Sequence, residues 1–328
     1  MRKLSRAIVT GGAGFIGSHI VDELVRRDVE TLVVDNFSTG SRANLRQHAQ
    51  NKLVKVYAGD VRQVAQLLHG AGEVDVVFHE AAIASVPLSV QQPMQVHETN
   101  VNATLELMNF CLSAKVRRLV FASSAAVYGI LNGKIASEEG FCRPSSPYGA
   151  SKLAVEDYLS AYHETYGLET VALRYFNVYG PRQAFNNDYS GVITIFVNQL
   201  LRGSSPTIFG DGRQTRDFVN VGDIVQANLL AAESPAAVGE RFNVASGRSV
   251  SIIELLESLE SVVGSNGIRP TFAPPRPGDV RSGSGSIERI TSVLGYRPRV
   301  HLREGLAALV DQIRNAREIT LDTSQGTR

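Results

Sequence analysis

The sequence predicts an α/β fold, namely a doubly wound parallel sheet with a smaller C-terminal lobe. Three observations lead to this fold: short segments that are apolar throughout, helical periodicity between them, and a glycine-rich turn after the first segment. Strands without polar alternation suit a parallel sheet that is buried on both faces. Strands and helices in alternation imply right-handed crossovers and a doubly wound sheet. The expected architecture is therefore Rossmann-like.

The apolar segments follow one another through the first half of the chain. They are AIVTGG (7–12), TLVVDN (31–36), LVKVYAGD (53–60), VDVVFHEAA (74–82), RRLVFASS (117–124) and LETVALRYFN (168–177). After the first of them, FIGSHIVDELVRR (15–27) places Ile16, Ile20 and Leu24 on one helical face. We expect helical stretches between most of the other strands as well.

The pattern loosens after about residue 176, where Gly, Pro and polar loops become more frequent. The segment ERFNVAS (240–246) predicts one late strand, and PPRPGDVRSGSGS (274–286) predicts a loop. We expect residues 1–175 to form a nucleotide-binding domain, with a later return segment near 220–246. Residues 176–328 should form mainly a smaller substrate-binding domain over the strand ends, where open α/β sheets bind their ligands.

The composition narrows the function classes. The chain has 328 residues, a net charge of +1 and 43% hydrophobic residues. This charge gives no reason to expect nucleic acid or an acidic membrane as a partner. Cys111 and Cys142 have neither disulfide-framework nor metal-site spacing, so we expect no metal and a reducing, cytoplasmic location. No segment reaches the ~18 apolar residues that span a membrane, and the apolar run 7–9 is too short for a signal peptide.

The sequence TGGAGFIG places Gly11, Gly14 and Gly17 between a predicted strand and a predicted helix. Such glycines let the backbone approach a pyrophosphate, and the helix N-terminus offers unpaired N–H groups to that anion. Asp35, which ends the next strand, can accept hydrogen bonds from both adenosine ribose hydroxyls and would repel a 2′-phosphate. The pattern predicts NAD rather than NADP; a plain glycine turn with a capping Asp is the structural alternative. Asp60 can accept from the adenine amino group, although a turn role suits it nearly as well.

The sequences FASSAAVYG (121–129) and PSSPYGASK (144–152) indicate a reactive centre. Lys152 follows Tyr148 by one helical turn, and a buried strand ends at Ser124. A free Tyr has a pKa near ~10, but an ammonium group and a nicotinamide cation beside it would favour the phenolate. Such a Tyr can take a hydroxyl proton as hydride leaves the same carbon, with Ser124 as a relay. A Tyr and a Lys that merely share a helix face are the structural alternative.

Taken in order, these motifs resemble those of the extended short-chain dehydrogenase/reductase family, and within it the NAD-dependent UDP-hexose 4-epimerases. The resemblance covers nearly the whole chain and is carried by TGGAGFIG, DNFSTG, HEAA, SSAAVYG, YGASK, RYFNVYGPRQ and RPGDVR. It implies a NAD-binding Rossmann domain, a UDP-sugar domain and a role in galactose and other carbohydrate metabolism. It also implies a homodimer, for which the helix TLELMNFCLSA (104–114) and the one after Tyr148 would supply the face.

The resemblance assigns roles to individual residues. Tyr148 would be the catalytic base and acid, Lys152 its partner and Ser124 the proton relay. The positions implied to contact NAD are Gly11, Gly14, Phe15, Ile16, Gly17, Asp35, Asn36, Ser38, Thr39, Gly40, Asp60, Val61, Ala81, Ala82, Ala84, Thr99, Ser123, Tyr148, Lys152 and Tyr175. The positions implied to hold the UDP-sugar are Ser124, Tyr148, Asn177, Val192, Phe209, Arg216, Arg276, Asp279 and Gly283.

Three of these positions also suit their role on chemical grounds. Arg216 and Arg276 fit a diphosphate, because the guanidinium fork matches phosphate oxygens. An exposed Arg, however, is usually only a solvated charge. Gly283, five residues after Gly278, falls where the family places the residue beside the sugar C2 substituent. A glycine there leaves room for an acetamido group.

The implied reaction is 4-epimerisation of UDP-hexoses, from UDP-galactose to UDP-glucose and also from UDP-GalNAc to UDP-GlcNAc, through a transient 4-keto sugar. Related 4,6-dehydratases and decarboxylases carry an acidic residue after the Ser/Thr, where this chain has Ala125 and Ala126. That difference argues against both. Other nucleotide-sugar enzymes of the same fold, such as a UDP-glucuronate epimerase, remain alternatives. A non-catalytic NAD-binding scaffold is the alternative of another class, but the intact Tyr/Lys pair disfavours it.

Overall fold

The computed structural model describes residues 2–131, 133–184, 191–265, 267–275 and 281–325. Within them the strands are β1 (Arg6–Thr10), β2 (Glu30–Asp35), β3 (Val54–Ala58), β4 (Val76–His79), β5 (Arg118–Ser124), β6 (Glu169–Tyr175), β7 (Asn177–Tyr179), β8 (Thr207–Phe209), β9 (Thr215–Asn220), β10 (Arg241–Val244), β11 (Ser249–Ser251), β12 (Thr271–Ala273) and β13 (Ser282–Gly283).

The α-helices are α1 (Phe15–Arg26), α2 (Val64–Leu67), α3 (Val86–Gln91), α4 (Pro93–His97), α5 (Ala103–Ser113), α6 (Pro147–Tyr166), α7 (Val192–Leu201), α8 (Val221–Glu233), α9 (Ile252–Val263), α10 (Glu288–Leu294) and α11 (Leu302–Gln325). Short 3₁₀ segments lie at Arg42–His48, Val61–Gln63, Ala125–Tyr128 and Pro235–Ala237, and a π-helical turn lies at Glu98–Asn102. None of the described helices is long and apolar enough to cross a membrane.

Seven parallel strands form the central sheet in the order β10-β6-β5-β4-β1-β2-β3. The seven predicted strand segments all belong to it, and the late segment supplies the edge strand β10. The predicted doubly wound parallel sheet is therefore confirmed. Its winding reverses between β1 and β4, and the carboxyl ends of these two strands border the crevice where such sheets bind ligands.

Two apolar layers cover the sheet because successive side chains on a strand point to opposite faces. Ala7 and Val9 of β1 join one layer and Ile8 joins the other. Helices α1 and α8 pack on the first face, and α5 and α6 pack on the second. Helix α1 forms as predicted and buries Ile20 and Leu24, while Ile16 stays partly exposed at the crevice.

The second half of the chain adds smaller sheets. Strand β9 pairs with β7, β11 and β13, and β8 pairs with β12. Helices α7, α9 and α11 pack around a separate apolar cluster beside them. The predicted loop 274–286 contains the short strand β13, which hydrogen-bonds beside β9. Pairs of only two or three residues carry too little periodicity for sequence patterns to identify them.

Candidate active site

The glycine turn after β1 brings two backbone segments into close contact. Gly11 adopts φ +65°, and a Cβ built on it would lie 2.7 Å from the backbone nitrogen of Ala81, which follows β4. A Cβ on Gly17 would lie 2.3 Å from the carbonyl oxygen of Gly11. Only glycine fits either position, since backbone atoms cannot give way as a flexible side chain can. The turn thereby leaves the N-terminus of α1 open to the crevice.

A cleft of about 250 Å³ lies above this turn. Fifteen of the predicted NAD-contact residues line it: Gly11, Gly14, Phe15, Ile16, Gly17, Asp35, Asn36, Ser38, Thr39, Asp60, Val61, Ala81, Ala82, Ala84 and Thr99. Val34, Gly59, Glu80 and Ile83 also line it. Gly40 is a predicted NAD-contact residue that does not line this cleft. A Cβ built on Gly40 would lie 2.9 Å from a carboxylate oxygen of Asp35. The bare backbone, the helix N-terminus and the buried carboxylate fit a dinucleotide.

The two aspartates in the cleft are held differently. The Asp35 carboxylate accepts hydrogen bonds from the backbone N–H groups of Ala13 (2.9 Å) and Phe37 (2.7 Å), so it ties the glycine turn to the end of β2. Each carboxylate oxygen keeps further acceptor capacity for a ligand. Asp60 caps a 3₁₀ turn and accepts from the Arg62 side chain at 2.9 Å, which lowers the pKa of its carboxyl. Asp60 therefore has a structural task in addition to its place in the cleft.

Helix α6 carries the predicted Tyr/Lys pair. It begins at Pro147, and the side chain of Ser146 caps it by accepting from the N–H of Gly149. The Lys152 ammonium is buried, donates to the Ala122 carbonyl at 2.7 Å, and lies 5.9 Å from the centre of the Tyr148 ring. The Tyr148 hydroxyl hydrogen-bonds with Ser124, the last residue of β5. The structure thus brings Ser124, Tyr148 and Lys152 together.

Burial acts against the charged forms of both Tyr148 and Lys152. Burial raises the pKa of the Tyr148 phenol, and its hydrogen bond with Ser124 offsets only part of that increase. Burial also lowers the pKa of the Lys152 ammonium to about 8, although the nearby Glu80 and Glu156 oppose this shift. That Lys152 and a nicotinamide cation together favour the phenolate stays a prediction; desolvation opposes the charged forms of both side chains.

A buried ion pair between Arg174 and Glu156 lies next to this site. The Arg174 guanidinium donates to the Glu156 carboxylate at 2.6 Å, and both side chains are almost completely buried. Ser123 donates to the same carboxylate at 2.5 Å. These contacts tie β5, β6 and α6 together. The contact on β5 is made by Ser123, the residue next to Ser124. Ser123 thus has a structural partner, in addition to its implied NAD contact.

Two residues in the site were missed from sequence. Asn100 lies in the π-helical turn; its amide accepts from the N–H of Ile83 (2.8 Å) and donates to Ser151 of α6 (3.1 Å). Glu80 lines the cleft and accepts a hydrogen bond from the Tyr175 hydroxyl at 2.8 Å. The sequence does contain a signal for each. Asn100 is a polar residue at the start of the largely apolar segment NVNATLELM, and Glu80 is an acid between an apolar strand and two alanines.

A second cavity of about 260 Å³ begins at Asn177, two residues after the end of β6. It is lined by Asn177, Val192, Ile195, Phe196, Thr207, Ile208, Phe209, Gln214, Arg216 and Ile252. It thus brings together Asn177, Val192, Phe209 and Arg216, four of the positions implied to hold the UDP-sugar. Gly283 pairs in register with Arg216, whose Cδ is 3.6 Å from the position of the missing Cβ. Arg276 and Asp279 lie outside the described residues.

A crevice at the reversal point of a parallel sheet, next to a Tyr–Lys pair on one helix, defines the short-chain dehydrogenase/reductase class of nucleotide-dependent enzymes. Comparison with known proteins narrows this class. The chain belongs to the NAD dependent epimerase/dehydratase family, whose model matches residues 7–245. The cofactor of this family is NAD, and the cleft above fits it.

Individual relatives match almost end to end. The UDP-glucose 4-epimerase of Mycolicibacterium smegmatis is 39% identical over 94% of this chain and 99% of its own length. The UDP-N-acetylglucosamine 4-epimerase of Methanobrevibacter ruminantium, solved in complex with UDP-N-acetylmuramic acid, is 38% identical with a TM-score of 0.90, over 96% of this chain and 100% of that one. The UDP-glucose 4-epimerase of Thermus thermophilus, solved with NAD, is 40% identical with a TM-score of 0.84, over 95% and 99%.

Proposed function

We propose that this chain is a 4-epimerase of UDP-hexoses that uses bound NAD as a transient oxidant. The observation that carries the proposal is the meeting of Tyr148, Lys152 and Ser124 near a cleft that fits NAD, with a second cavity that includes Arg216. Inversion at one carbon needs one proton carrier and one hydride acceptor, and the site offers these. The relatives named as UDP-glucose and UDP-N-acetylglucosamine 4-epimerases support the same activity.

The proton is carried by the chain's own residues. Tyr148 takes the proton from the sugar 4-hydroxyl and returns it after the 4-keto sugar has turned over, with Ser124 holding the oxygen or relaying the proton. Bound NAD, held at the glycine turn and Asp35, would supply the hydride acceptor and the hydride that restores the sugar. Burial raises the pKa of the Tyr148 phenol, and the positive charge of oxidised NAD, when bound, would lower it and favour the phenolate.

The second cavity is the proposed grip on the UDP group. The epimerase must hold the nucleotide firmly and the sugar loosely, because the keto sugar has to turn without leaving. Arg216 contributes a cation, Asn177 contributes an amide, and Phe209 and Val192 supply apolar contact for the uracil. The sugar would then reach back towards Tyr148. Arg276 and Asp279 complete the implied set from outside the described residues.

The alternative 4,6-dehydratase and decarboxylase reactions need an acidic residue that 4-epimerisation does not need. Ala125 and Ala126, directly after Ser124, open a 3₁₀ turn and provide no acid for elimination or decarboxylation. The decisive experiment offers the purified protein UDP-galactose, UDP-GlcNAc, UDP-glucuronate and dTDP-glucose without added oxidant or reductant, and reads product configuration by NMR. We expect 4-epimers from the first two. A 4-keto-6-deoxy product, a pentose product or no turnover of any sugar would contradict the proposal.

We further propose that N-acetylated UDP-sugars are accepted because Gly283 leaves space beside Arg216. A Tyr at this position would fill the region where the acetamido group must fit. Gly283→Tyr should lose activity on UDP-GlcNAc and keep most of its activity on UDP-glucose, compared through kcat/KM for both substrates. A wild-type enzyme that ignores UDP-GlcNAc, or a Tyr variant that loses both activities equally, would show that Gly283 does not select the sugar.

We also propose a cytoplasmic homodimer of two-domain subunits, divided at about residues 175/176 with a return segment near 220–246. The two free cysteines suit a reducing compartment. Most apolar residues of α5 are used in the chain's own core, so they do not supply the dimer face by themselves. The exposed rings of Tyr158 and Tyr166 on α6 are better placed for it. Sedimentation analysis would show one 35.5-kDa species if the proposed dimer is absent.

A further inference from the structure

Glu80 is an acidic residue of the cleft to which the proposed reaction gives no task. It directly follows β4, at the point where the winding of the sheet reverses. Its backbone N–H donates to the Thr10 carbonyl of β1 at 3.2 Å, and its own carbonyl carbon lies 3.0 Å from the position of a Cβ on Gly11. The glycine turn therefore fixes where Glu80 stands, and its side chain lines the cleft.

A directed chain of hydrogen bonds ends on the Glu80 carboxylate. The Asn228 amide nitrogen donates to the Tyr175 hydroxyl at 2.7 Å and to the Ile224 carbonyl at 3.0 Å. The amide oxygen of Asn228 is buried and has no hydrogen-bond partner among the described residues, so it does not take the Tyr175 proton. Tyr175 donates that proton to Glu80 at 2.8 Å. Donation towards a carboxylate stabilises its charged form.

The groups facing Glu80 come from three elements. Tyr175 reaches it from β6, Asn228 stands behind Tyr175 on α8, and α6 presents Lys152 and Tyr148. The carboxylate raises the pKa of both α6 groups, so it favours the ammonium form of Lys152 and opposes the phenolate of Tyr148. Glu80 is thus coupled by charge to both members of the proposed proton carrier.

We propose that Glu80 is a positioning residue whose negative charge keeps Lys152 protonated and favours the oxidised, cationic form of bound NAD over the reduced, neutral form. The inference rests on the proposed function, since epimerisation must start from oxidised cofactor. Reduction of the cofactor adds one hydride and removes one positive charge, so a fixed negative charge nearby weakens the reduced state relative to the oxidised one. The residue would protect the enzyme from resting in a reduced, inactive form.

The test compares Glu80→Gln, Glu80→Asp and Glu164→Gln as holoproteins without sugar. Each is equilibrated with a low-potential mediator dye, and the reduced fraction of bound cofactor is read from its near-ultraviolet absorbance. Gln retains the acceptor for Tyr175 but not the charge, and Asp retains the charge. Glu164 is an exposed carboxylate on the far end of α6 and controls for charge removed outside the cleft.

Glu80→Gln should raise the reduced-to-oxidised ratio about tenfold, equivalent to about 30 mV for a two-electron couple. Tenfold corresponds to about 1.4 kcal/mol, which is within the range of charge–charge interactions at an effective dielectric constant of ~20. The ratio for Glu80→Asp should stay within about threefold of the wild-type ratio, and the ratio for Glu164→Gln should equal the wild-type ratio.

Burial raises the pKa of the Glu80 carboxyl to about 7. The difference between wild type and Glu80→Gln should therefore be full well above pH 7 and vanish well below it, where both side chains are neutral.

Equal ratios for wild type and Glu80→Gln above pH 7 would overturn the inference, as would equal shifts in the Gln and Asp variants, since a charge effect must separate them. A Glu80→Gln shift that persists unchanged at low pH would also overturn it. The result is independent of epimerase activity. If the cofactor ratio shifts as expected but no UDP-hexose is epimerised, the proposed function fails and the role of Glu80 stands.

Discussion

The cofactor cleft and the cavity proposed for the UDP group are built differently. The cleft takes consecutive residues from the ends of neighbouring parallel strands, mainly 11–17, 35–39 and 80–84, and much of its lining is backbone. The cavity takes residues from β7, α7, β8, β9 and α9, spread over residues 177–252, and α7 and β8 contribute three each. A site that relies on backbone groups recognises the pyrophosphate, which all dinucleotides share. A site that relies on side chains can acquire a different ligand specificity through single substitutions.

This difference decides how each site responds to substitution. Glycines in the cleft are constrained by backbone atoms that cannot move, as at Gly11 and Gly17. Gly283, beside the cavity, meets only ordinary van der Waals distances of 3.5 Å and 3.6 Å. The cleft should therefore tolerate little change, and the cavity should tolerate much. Tyr148 belongs to neither lining and carries the proposed proton transfer itself, so it should be the most sensitive point of all.

Tyr148→Phe should have the largest effect. The fold and the bound NAD should be retained, because the ring remains, but the turnover rate should fall at least ~10²-fold, the usual scale of acid–base catalysis. Tyr166→Phe, in the exposed last turn of the same helix, is the matched control and should retain wild-type turnover. Single-turnover reduction of the bound cofactor by a UDP-sugar would locate the loss in the chemical step. Near-normal turnover in Tyr148→Phe would remove Tyr148 as the proton carrier.

The same substitution at two glycines tests the contrast directly. Gly17→Ala places a Cβ 2.3 Å from the Gly11 oxygen, so it should reduce the free energy of unfolding by about 1–3 kcal/mol despite the better helix propensity of Ala. It should also release NAD. Gly283→Ala should change that free energy by less than about 0.5 kcal/mol. Urea denaturation and cofactor content of the purified proteins measure both. Similar losses in the two variants would mean that the two sites are equally constrained.

The contrast also explains what could be predicted from sequence. The seven strands of the central sheet and the glycine turn are local patterns, and the structure has them at the predicted positions. The strands β8, β9 and β11–β13 are held by pairing with distant segments, and all but β9 have only two or three residues, too few for a local pattern. Glu80 was missed for a related reason. An acid after an apolar strand resembles a turn residue until the fold places it beside Lys152 and Tyr175.

The two cleft aspartates give the smallest and most discriminating comparison. Asp35 accepts from two backbone N–H groups and is buried, whereas Asp60 is more exposed and pairs with Arg62. If Asp35 also accepts from the adenosine ribose, Asp35→Ala removes charged hydrogen bonds worth about 1.5–3 kcal/mol. NAD should then bind at least about tenfold more weakly, and discrimination against NADP should shrink.

Asp60→Ala removes a cap and an exposed ion pair, so it should cost about 1 kcal/mol of stability or less and weaken NAD binding only a few-fold. Calorimetric titration of cofactor-free protein with NAD and with NADP, beside the thermal midpoint of each variant, separates binding from stability. If Asp60→Ala loses as much NAD affinity as Asp35→Ala, Asp60 is a cofactor ligand and its cap is secondary. If neither variant changes the preference for NAD over NADP, the carboxylate at the end of β2 does not select the cofactor. That selection would then have to come from the neighbouring residues Asn36 and Ser38, which also line the cleft.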